Sequence, residues 1–374
     1  MLSHPRLSAA SSGEVRATVF VGDSRTRCGD HVKQHLNTLY VMTQGAYVAK
    51  EDETVVVRVD GEKRLQVPIL SIEGIVCFGQ VSCSPALMQF CGERSVSISF
   101  LSESGRFLAR VIGPVHGNVL LRREQYRRAD DEAGTRTIAV SIIAAKVLNA
   151  RSSILRSLRD RPSADGVEEL RRSVSALSAL SSDLRTTDSL DSARGIEGAS
   201  AREYFSVLDM MIVQQKDSFF FRERSRRPPL DRVNAMLSFV YTLVMHDVIA
   251  GLECVGLDPA VGFLHRDRPG RPGLALDLLE ELRGWLADRF VLSMINLRQI
   301  AADDFVTLEN GAVLLRDEPR KGFIAAYQKR KREELIHPFL EEKVTIGMIP
   351  HVQAQLLARH LRGDLDAYPP FIWK

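Results

Sequence analysis

The 374 residues are 45% hydrophobic and 26% charged, the balance of a globular chain long enough for two separate cores. A net charge of +3 excludes any argument from bulk charge, so contact with nucleic acid or membrane must rest on where the charges lie. Five cysteines, at 28, 77, 83, 91 and 254, form no CxxC pair and are odd in number, which points to buried thiols in a reducing compartment rather than a disulfide framework or zinc knuckle.

The first thirty residues are rich in Ser, Arg and Gly and lack the apolar core of a secretory signal. They are expected to form a poorly ordered leader over residues 1–31, with Val32 as a candidate true start. No stretch is expected to span a membrane, and a cytoplasmic protein is anticipated. From residue 36 the runs LNTLYVMT, AYVAKEDETVVVRVDGEKRLQVPI and SVSISFLSESGRFLARVIG are β-rich. Gln44-Gly45, Asp60-Gly61 and Ser104-Gly105 are their turn signals, and TVVVRVDGEKRLQV predicts a hairpin with Asp-Gly at its tip. SPALMQFCGER predicts one short helix. Residues 32–117 therefore read as a small β-domain of hairpins.

From about 118 the apolar period becomes helical in VLLRREQYRRADD, AVSIIAAKVLNARSSILRSLRD and VEELRRSVSALSALSSDLR. NAMLSFVYTLVMHDVIAGLECVG predicts a long apolar helix entered through Arg-Pro-Pro-Leu-Asp, and LALDLLEELRGWLADRFVL follows it. TLENGAVLL predicts a hairpin, and the chain closes in helices. The fold class is α+β, a small N-terminal β-domain followed by a larger α-helical domain over 118–374.

In LALDLLEELR, Leu278, Leu279, Leu282 and Trp285 can form one stripe, with Asp277, Glu280 and Glu281 on another face. Such acids can simply complement the helix dipole or face solvent. His265, at the end of GFLH, can equally be a hydrogen-bonded core histidine. Glu197 stands in RGIEGASAREYF among Gly195, Gly198 and Ala199, as a carboxylate approaching a tight site would. One imidazole and two carboxylates make a hard, mixed ligand set suited to Mn or Mg, with positions left for water and a phosphate. No HExxH motif accompanies them, so peptide hydrolysis is not indicated.

The chain resembles the CRISPR-associated protein 1 family, in particular its type I-C branch. The resemblance rests on LNTLYVMTQGAYV, LSIEGIVCFG, FLSESGRFLARVIGPVHGNVLLRREQYR, GIEGASAREYF, PLDRVNAMLSFVYTLV, GLDPAVGFLHRDRPGRPGLALDLLEELR and HPFLEEKVTIGMIPHVQAQLLARHLRGD, in that order. It implies a metal-dependent DNA integrase and endonuclease of CRISPR adaptation, using Mn2+ or Mg2+. Its chemistry would be attack of a DNA 3′-hydroxyl on a phosphodiester, with no protein nucleophile. The family's metal ligands fall on Glu197, His265 and Glu280, with Asp277 as the nearby acid behind them and Asn234 and Tyr204 on positions lining the same site.

The cationic loop RDRPGRPG would bring Arg266, Arg268 and Arg271 to phosphates, or be a solvated loop. FFFRERSRRPP, with Arg222, Arg224, Arg226 and Arg227, would offer phenylalanine stacking platforms beside DNA. YQKRKREEL carries a similar run with its own acids. The implied partners are double-stranded and branched DNA, a second copy of the chain (the β-domain edges being the expected homodimer contact), CRISPR-associated protein 2, and a companion nuclease that trims fragments. A scaffold subunit with a lapsed site and a general branched-DNA repair nuclease are the alternatives. Residues 160–194 match the family poorly and are expected to form a variable helical connection.

Overall fold

The computed structural model describes residues 38–373, apart from 73, 95, 103–106, 112, 114–118 and 161–165. The leader with Val32, Cys28 and the Ser104-Gly105 turn lie outside the described residues. Strands β1 (Thr38–Val41), β2 (Tyr47–Glu51), β3 (Thr54–Val59), β4 (Glu62–Pro68), β5 (Gly74–Phe78) and β6 (Ser82–Cys83) come first. Helix α1 (Pro85–Glu93) and strands β7 (Ser97–Leu101) and β8 (Phe107–Val111) complete the β region.

The β3–β4 hairpin forms as its sequence predicts. Asp60 and Gly61 both take positive φ, 52° and 80°, the pair of left-handed residues that a twist-matched two-residue turn requires. Helix α1 starts where Ser84 accepts the N–H of Leu87, with Pro85 at the position that needs no donor.

The region is not built of hairpins alone, however. One sheet runs β4-β3-β2-β6 and the other β1-β5-β7-β8, and the pairs β1–β5, β5–β7 and β2–β6 are parallel. Tight turns announce themselves in sequence, whereas a parallel pair joined by a crossover leaves no local mark.

The second sheet works for two cores at once. Leu39, Val41, Ile75, Cys77 and Ile98 face the first sheet and α1, where they meet Val48, Val55, Val57, Leu87 and Phe90. Their alternates Tyr40, Met42, Val76, Phe78 and Leu101 belong to the helical core, with Phe78 6.3 Å from Phe239. Period-two alternation thus fixes the β region onto the helices.

The helical part comprises α2 (Val119–Asp130), α3 (Glu132–Asp160), α4 (Val167–Asp183), α5 (Leu190–Ser206) and α6 (Arg232–Val255). After them come α7 (Gly273–Leu282), a π-helical turn over Arg283–Asp288 and α8 (Arg289–Asn296). The hairpin β9 (Phe305–Thr307) and β10 (Val313–Leu315) follows, then α9 (Asp317–Lys331), β11 (Glu334–Ile336), β12 (Lys343–Thr345) and α10 (Ile349–Leu361). Two helices correct the expectation that no stretch is long and apolar enough to cross a membrane: α3 and α6 both are, and both are packed mostly inside the protein.

Helix α6 opens where Asp231 accepts the N–H of Asn234 at 2.7 Å and ends at Gly256, whose φ of 85° suits only glycine without strain. Because Asp231 also accepts from the Asn234 side chain at 2.6 Å, one carboxylate sets both the helix start and the residue beside it. Asp231→Ala is expected to lower stability by about 1–2 kcal/mol in urea unfolding; an unchanged midpoint would show that the cap contributes nothing.

Candidate active site and its comparison with known proteins

Helix α2 sets up the approach to the site. Gln125 is fully buried, and its amide donates to the carbonyls of Asp258 and Val261 at 2.8 Å each while its oxygen accepts the N–H of Asp258. That grip holds the segment after α6, so that Val261–His265 runs against the first turns of α7. The approach is possible because both surfaces are bare there. A Cβ on Gly262 would lie 2.7 Å from the Gly273 carbonyl carbon and 2.8 Å from Asp277, and one on Gly273 would lie 2.6 Å from the Ala260 oxygen.

Asp277 closes this junction. Its Oδ2 accepts the N–H groups of Phe263 and Leu264 at 2.6 and 3.0 Å, and its Oδ1 accepts the N–H of His265 at 3.0 Å. Oδ1 also lies 2.7 Å from His265 Nδ1. An ionised carboxylate can only accept, so Nδ1 carries the proton, and in the neutral ring Nε2 presents its lone pair. Nε2 points toward Glu280, 4.0 Å from Oε1, too far for a hydrogen bond.

Glu197 reaches the same point from α5. Lys146, on α3, joins the two acids: its ammonium pairs closely with Glu197 and lies 2.8 Å from Glu280 Oε2. Arg283 Nη1 holds the other oxygen of Glu280 at 2.8 Å. The structure therefore gathers Glu197 and Glu280, remote in sequence, around one ammonium, with the His265 ring 4.0 Å from the second oxygen of Glu280.

Among the described residues no three His, Cys, Asp or Glu side chains are drawn together tightly enough to grip an ion as placed, since the ammonium stands between the carboxylates. The donor set nevertheless fits one. Glu280 Oε2 is buried and, despite the nearby ammonium, makes no well-formed hydrogen bond; the acid oxygen facing His265 Nε2, Glu280 Oε1, stands beyond hydrogen-bond reach at 4.0 Å. The small residues around Glu197 do not pack tightly, contrary to the sequence expectation. Space beyond Gly195 is open, and Gly198 would meet only the end of Arg202 at 3.6 Å.

The acids of α7 also differ from expectation. None lies in the first turn, and Asp277, Glu280 and Glu281 are at most 2% exposed, so neither dipole capping nor a solvated face explains them. Glu280 and Glu281 are neighbours with opposite electrostatics. Burial works to raise the Glu280 carboxyl, but Arg283, Lys146 and His265 more than offset it and hold the group at about 2. Burial prevails at Glu281 and pushes it up to about 8, although the Tyr368 hydroxyl, the Phe371 N–H and the Gln353 amide all donate to it. The ionised acid faces the site, and its neighbour faces back into the C-terminal segment.

The site opens into a cleft of about 2010 Å³. Among the described residues its walls carry nine cationic side chains, Arg110, Lys146, Arg224, Arg226, Arg227, Arg268, Arg271, Arg283 and Arg320, against four carboxylates. Arg268 and Arg271 of the cationic loop line it, whereas Arg266 lies outside and pairs with Asp191 at 3.0 Å. Arg224 lines it but Arg222 does not; the latter sits over the Phe220 ring at 5.3 Å.

Phe219 and Phe221 are core residues, so only Phe220 remains of the three expected stacking platforms. The run in α9 is largely spent: Lys331 is buried against Asp247 at 2.6 Å, and Arg330 pairs with Glu333. Tyr204 lines the cleft wall and is buried. Asn234 does not line it: fully buried, it reaches the cleft only through Arg224, which donates to it at 2.7 Å. Among the described residues no cysteine is in a disulfide, but only Cys77 and Cys91 are buried; Cys83 is half-buried and Cys254 exposed.

Sequence reading missed Lys146, Arg283, Tyr241 and Asp288. Lys146 had a signal, being the lone charge in the apolar run AVSIIAAKVL. Tyr241 donates to Asp288 at 2.6 Å and carries guanidinium groups near its ring, Arg283 at 5.0 Å and Arg224 at 5.4 Å.

Burial raises the Asp288 carboxyl from 3.8 to about 6, against the hydrogen bond from Tyr241, the nearby Tyr204 hydroxyl and the charges of Arg283 and Arg224. An acid raised on folding contributes stability that is whole below its unfolded value and lost as pH climbs through the folded one. Replacing it with Asn removes that dependence. The stability of Asp288→Asn relative to wild type is expected to rise by up to about 3 kcal/mol between pH 4 and pH 7. Urea unfolding across that range tests it, and a difference independent of pH would refute the assignment.

The family model for "CRISPR associated protein Cas1" matches residues 39–329. A CRISPR-associated endonuclease Cas1 of Chlorobaculum tepidum is 52% identical over 343 residues, covering 92% of this chain and 100% of that one. A second, from Rhodospirillum rubrum, is 50% identical over 347 residues, with 92% and 100% covered. Among solved structures, a CAS1 protein from Thermotoga maritima superposes with a TM-score of 0.74 at 21% identity, over 87% of this chain and 97% of that one. A casposase bound to its integration product gives 0.74 at 20% identity, over 91% and 94%. The chain belongs to the Cas1 family of CRISPR-associated proteins.

Proposed function

We propose that the protein is a divalent-metal-dependent DNA endonuclease and integrase of CRISPR adaptation, joining the 3′-hydroxyl of a captured fragment to the CRISPR array. One observation carries the reading: Glu197 and Glu280 share a cation beside the Nε2 of His265, in the wall of a basic cleft. Relatives at 52% and 50% identity bear the name CRISPR-associated endonuclease, which supports nuclease chemistry. The type I-C assignment rests on the sequence segments alone.

Bound Mn2+ or Mg2+ would stabilise charge on the phosphate and lower the pKa of the attacking hydroxyl. The chain's own residues do the rest. Glu197 and Glu280 supply anionic oxygens, and Asp277 holds the tautomer and heading of His265. Arg268, Arg271 and Arg224 on the cleft walls are placed to hold phosphates on either side of the reacting bond. DNA is then the substrate and supplies the nucleophile.

A solved Cas6-RT-Cas1–Cas2 complex of the same fold, with a TM-score of 0.77, is in keeping with a Cas2 partner. Two attacks at a fixed spacing call for two such sites, hence a homodimer, with the outer strands of the β region as its candidate contact. A separate trimming nuclease would supply fragments of set length.

The test is Mn2+-dependent cleavage and strand transfer on branched DNA carrying the native repeat, with Cas2 present. Glu197→Ala and His265→Ala are each expected to lose about a hundredfold or more in rate; activity equal to wild type in both would end the enzyme reading. Cleavage without any joining would point instead to a repair nuclease. Asp277→Asn, which can offer Nδ1 a donor in place of an acceptor, is expected to weaken Mn2+ binding about ten- to hundredfold in calorimetry. Unaltered affinity would mean that the histidine needs no such support.

A further inference from the structure

We propose that Lys146 is a tethered place-holder for the divalent ion: its ammonium balances Glu197 and Glu280 until metal arrives, and metal binding displaces it. The inference rests on the reading that these carboxylates hold metal. Three observations lead to it.

First, the positions exclude each other. An ion held by both carboxylates needs an oxygen of each at roughly 2.1 Å, and the ammonium already contacts Glu197 and lies 2.8 Å from Glu280 Oε2. Second, the acids need a cation at all times. The Glu280 side chain is only 3% exposed, and a buried carboxylate without counter-charge is strongly destabilising. Arg283 covers one oxygen of Glu280, leaving Glu197 and the second oxygen to Lys146.

Third, the ammonium has somewhere to go. It rides a flexible four-carbon stem, and the residue lines the open cleft rather than a sealed core. Arginine in its place would have been bulkier and slower to yield; a lysine ammonium approximates a point charge, as the ion itself does. When displaced, it would remain on the cleft side, among the arginines.

The experiment uses the full chain without DNA and MnCl2 as the probe. Calorimetry should show Lys146→Met binding Mn2+ at least about tenfold more tightly than wild type. In chelator, the melting temperature of the variant should fall below wild type, and saturating Mn2+ should restore it. Should Lys146→Met fold only with Mn2+ present, that dependence itself is the expected loss of the place-holder, and Lys146→Gln supplies the affinity comparison. Equal or weaker Mn2+ binding by the neutral variants, with wild type binding normally, would overturn the proposal while leaving the metal site standing. Absence of Mn2+ binding in wild type and variants alike would remove both.

Discussion

Asp277 is the point on which the site turns. A carboxylate buried in a helix needs its oxygens filled, and here they are filled by three successive backbone N–H groups and one imidazole N–H from the chain segment opposite. That single side chain thereby fixes the path of residues 263–265, the tautomer of the histidine and the distance between two elements. The close contact at Gly262 and Gly273 permits the arrangement, and Gln125 guards its far side. Without the carboxylate, the histidine would be a side chain on a loop with no prescribed direction.

From that junction, α7 distributes charge in two directions. Glu280, flanked by Arg283 and Lys146, stays ionised toward the cleft, while Glu281 is surrounded by donors and protein and is pushed up to about 8. Successive positions on a helix point about 100° apart, so a pair of adjacent acids can serve a polar cavity and a packed core together. The π-helical turn that follows preserves this division. The carbonyl of Glu281 takes a bond from Asn149, and the carbonyl of Gly284 one from Ser153, so α3 satisfies groups along the α7 junction and its widened turn. The same α3 carries Lys146, so the root of that side chain is held beside the acids while its four-carbon stem stays free to swing.

Much of this was legible in the chain, but unevenly. The Asp60-Gly61 hairpin, the capped α1 and the boundaries of α6 follow from local chemistry and appear where their residues demand. The parallel strand pairs do not, because their partners are set by tertiary packing of both sheet faces. Glu197, His265 and Glu280 stood out through resemblance and donor type; composition alone left each with an ordinary alternative. The burial of Asp277 and Glu281 could not be read, since charged residues at helical spacing look alike whether they face water or protein. Among the phenylalanines of FFFR, two were claimed by the core, where alternation of a short extended segment decides the matter. Lys146 was visible as an anomaly and overlooked as a function.

The C-terminal segment deserves to be seen as part of the same apparatus. Tyr368 and the Phe371 backbone close on Glu281 from behind, the Phe371 ring lies 4.7 Å from Trp285, and Asn149 bonds both Phe371 and Trp373. Phe371 follows Glu281 by 90 residues in the chain. During synthesis the acid-bearing helix therefore leaves the ribosome well before its brace, and a nascent chain holds the chemical groups without the wedge that sets them. The acid of α7 therefore takes its final setting only once a segment 90 residues later has closed on it, a long-range contact that costs loop-closure entropy which the helix itself does not pay.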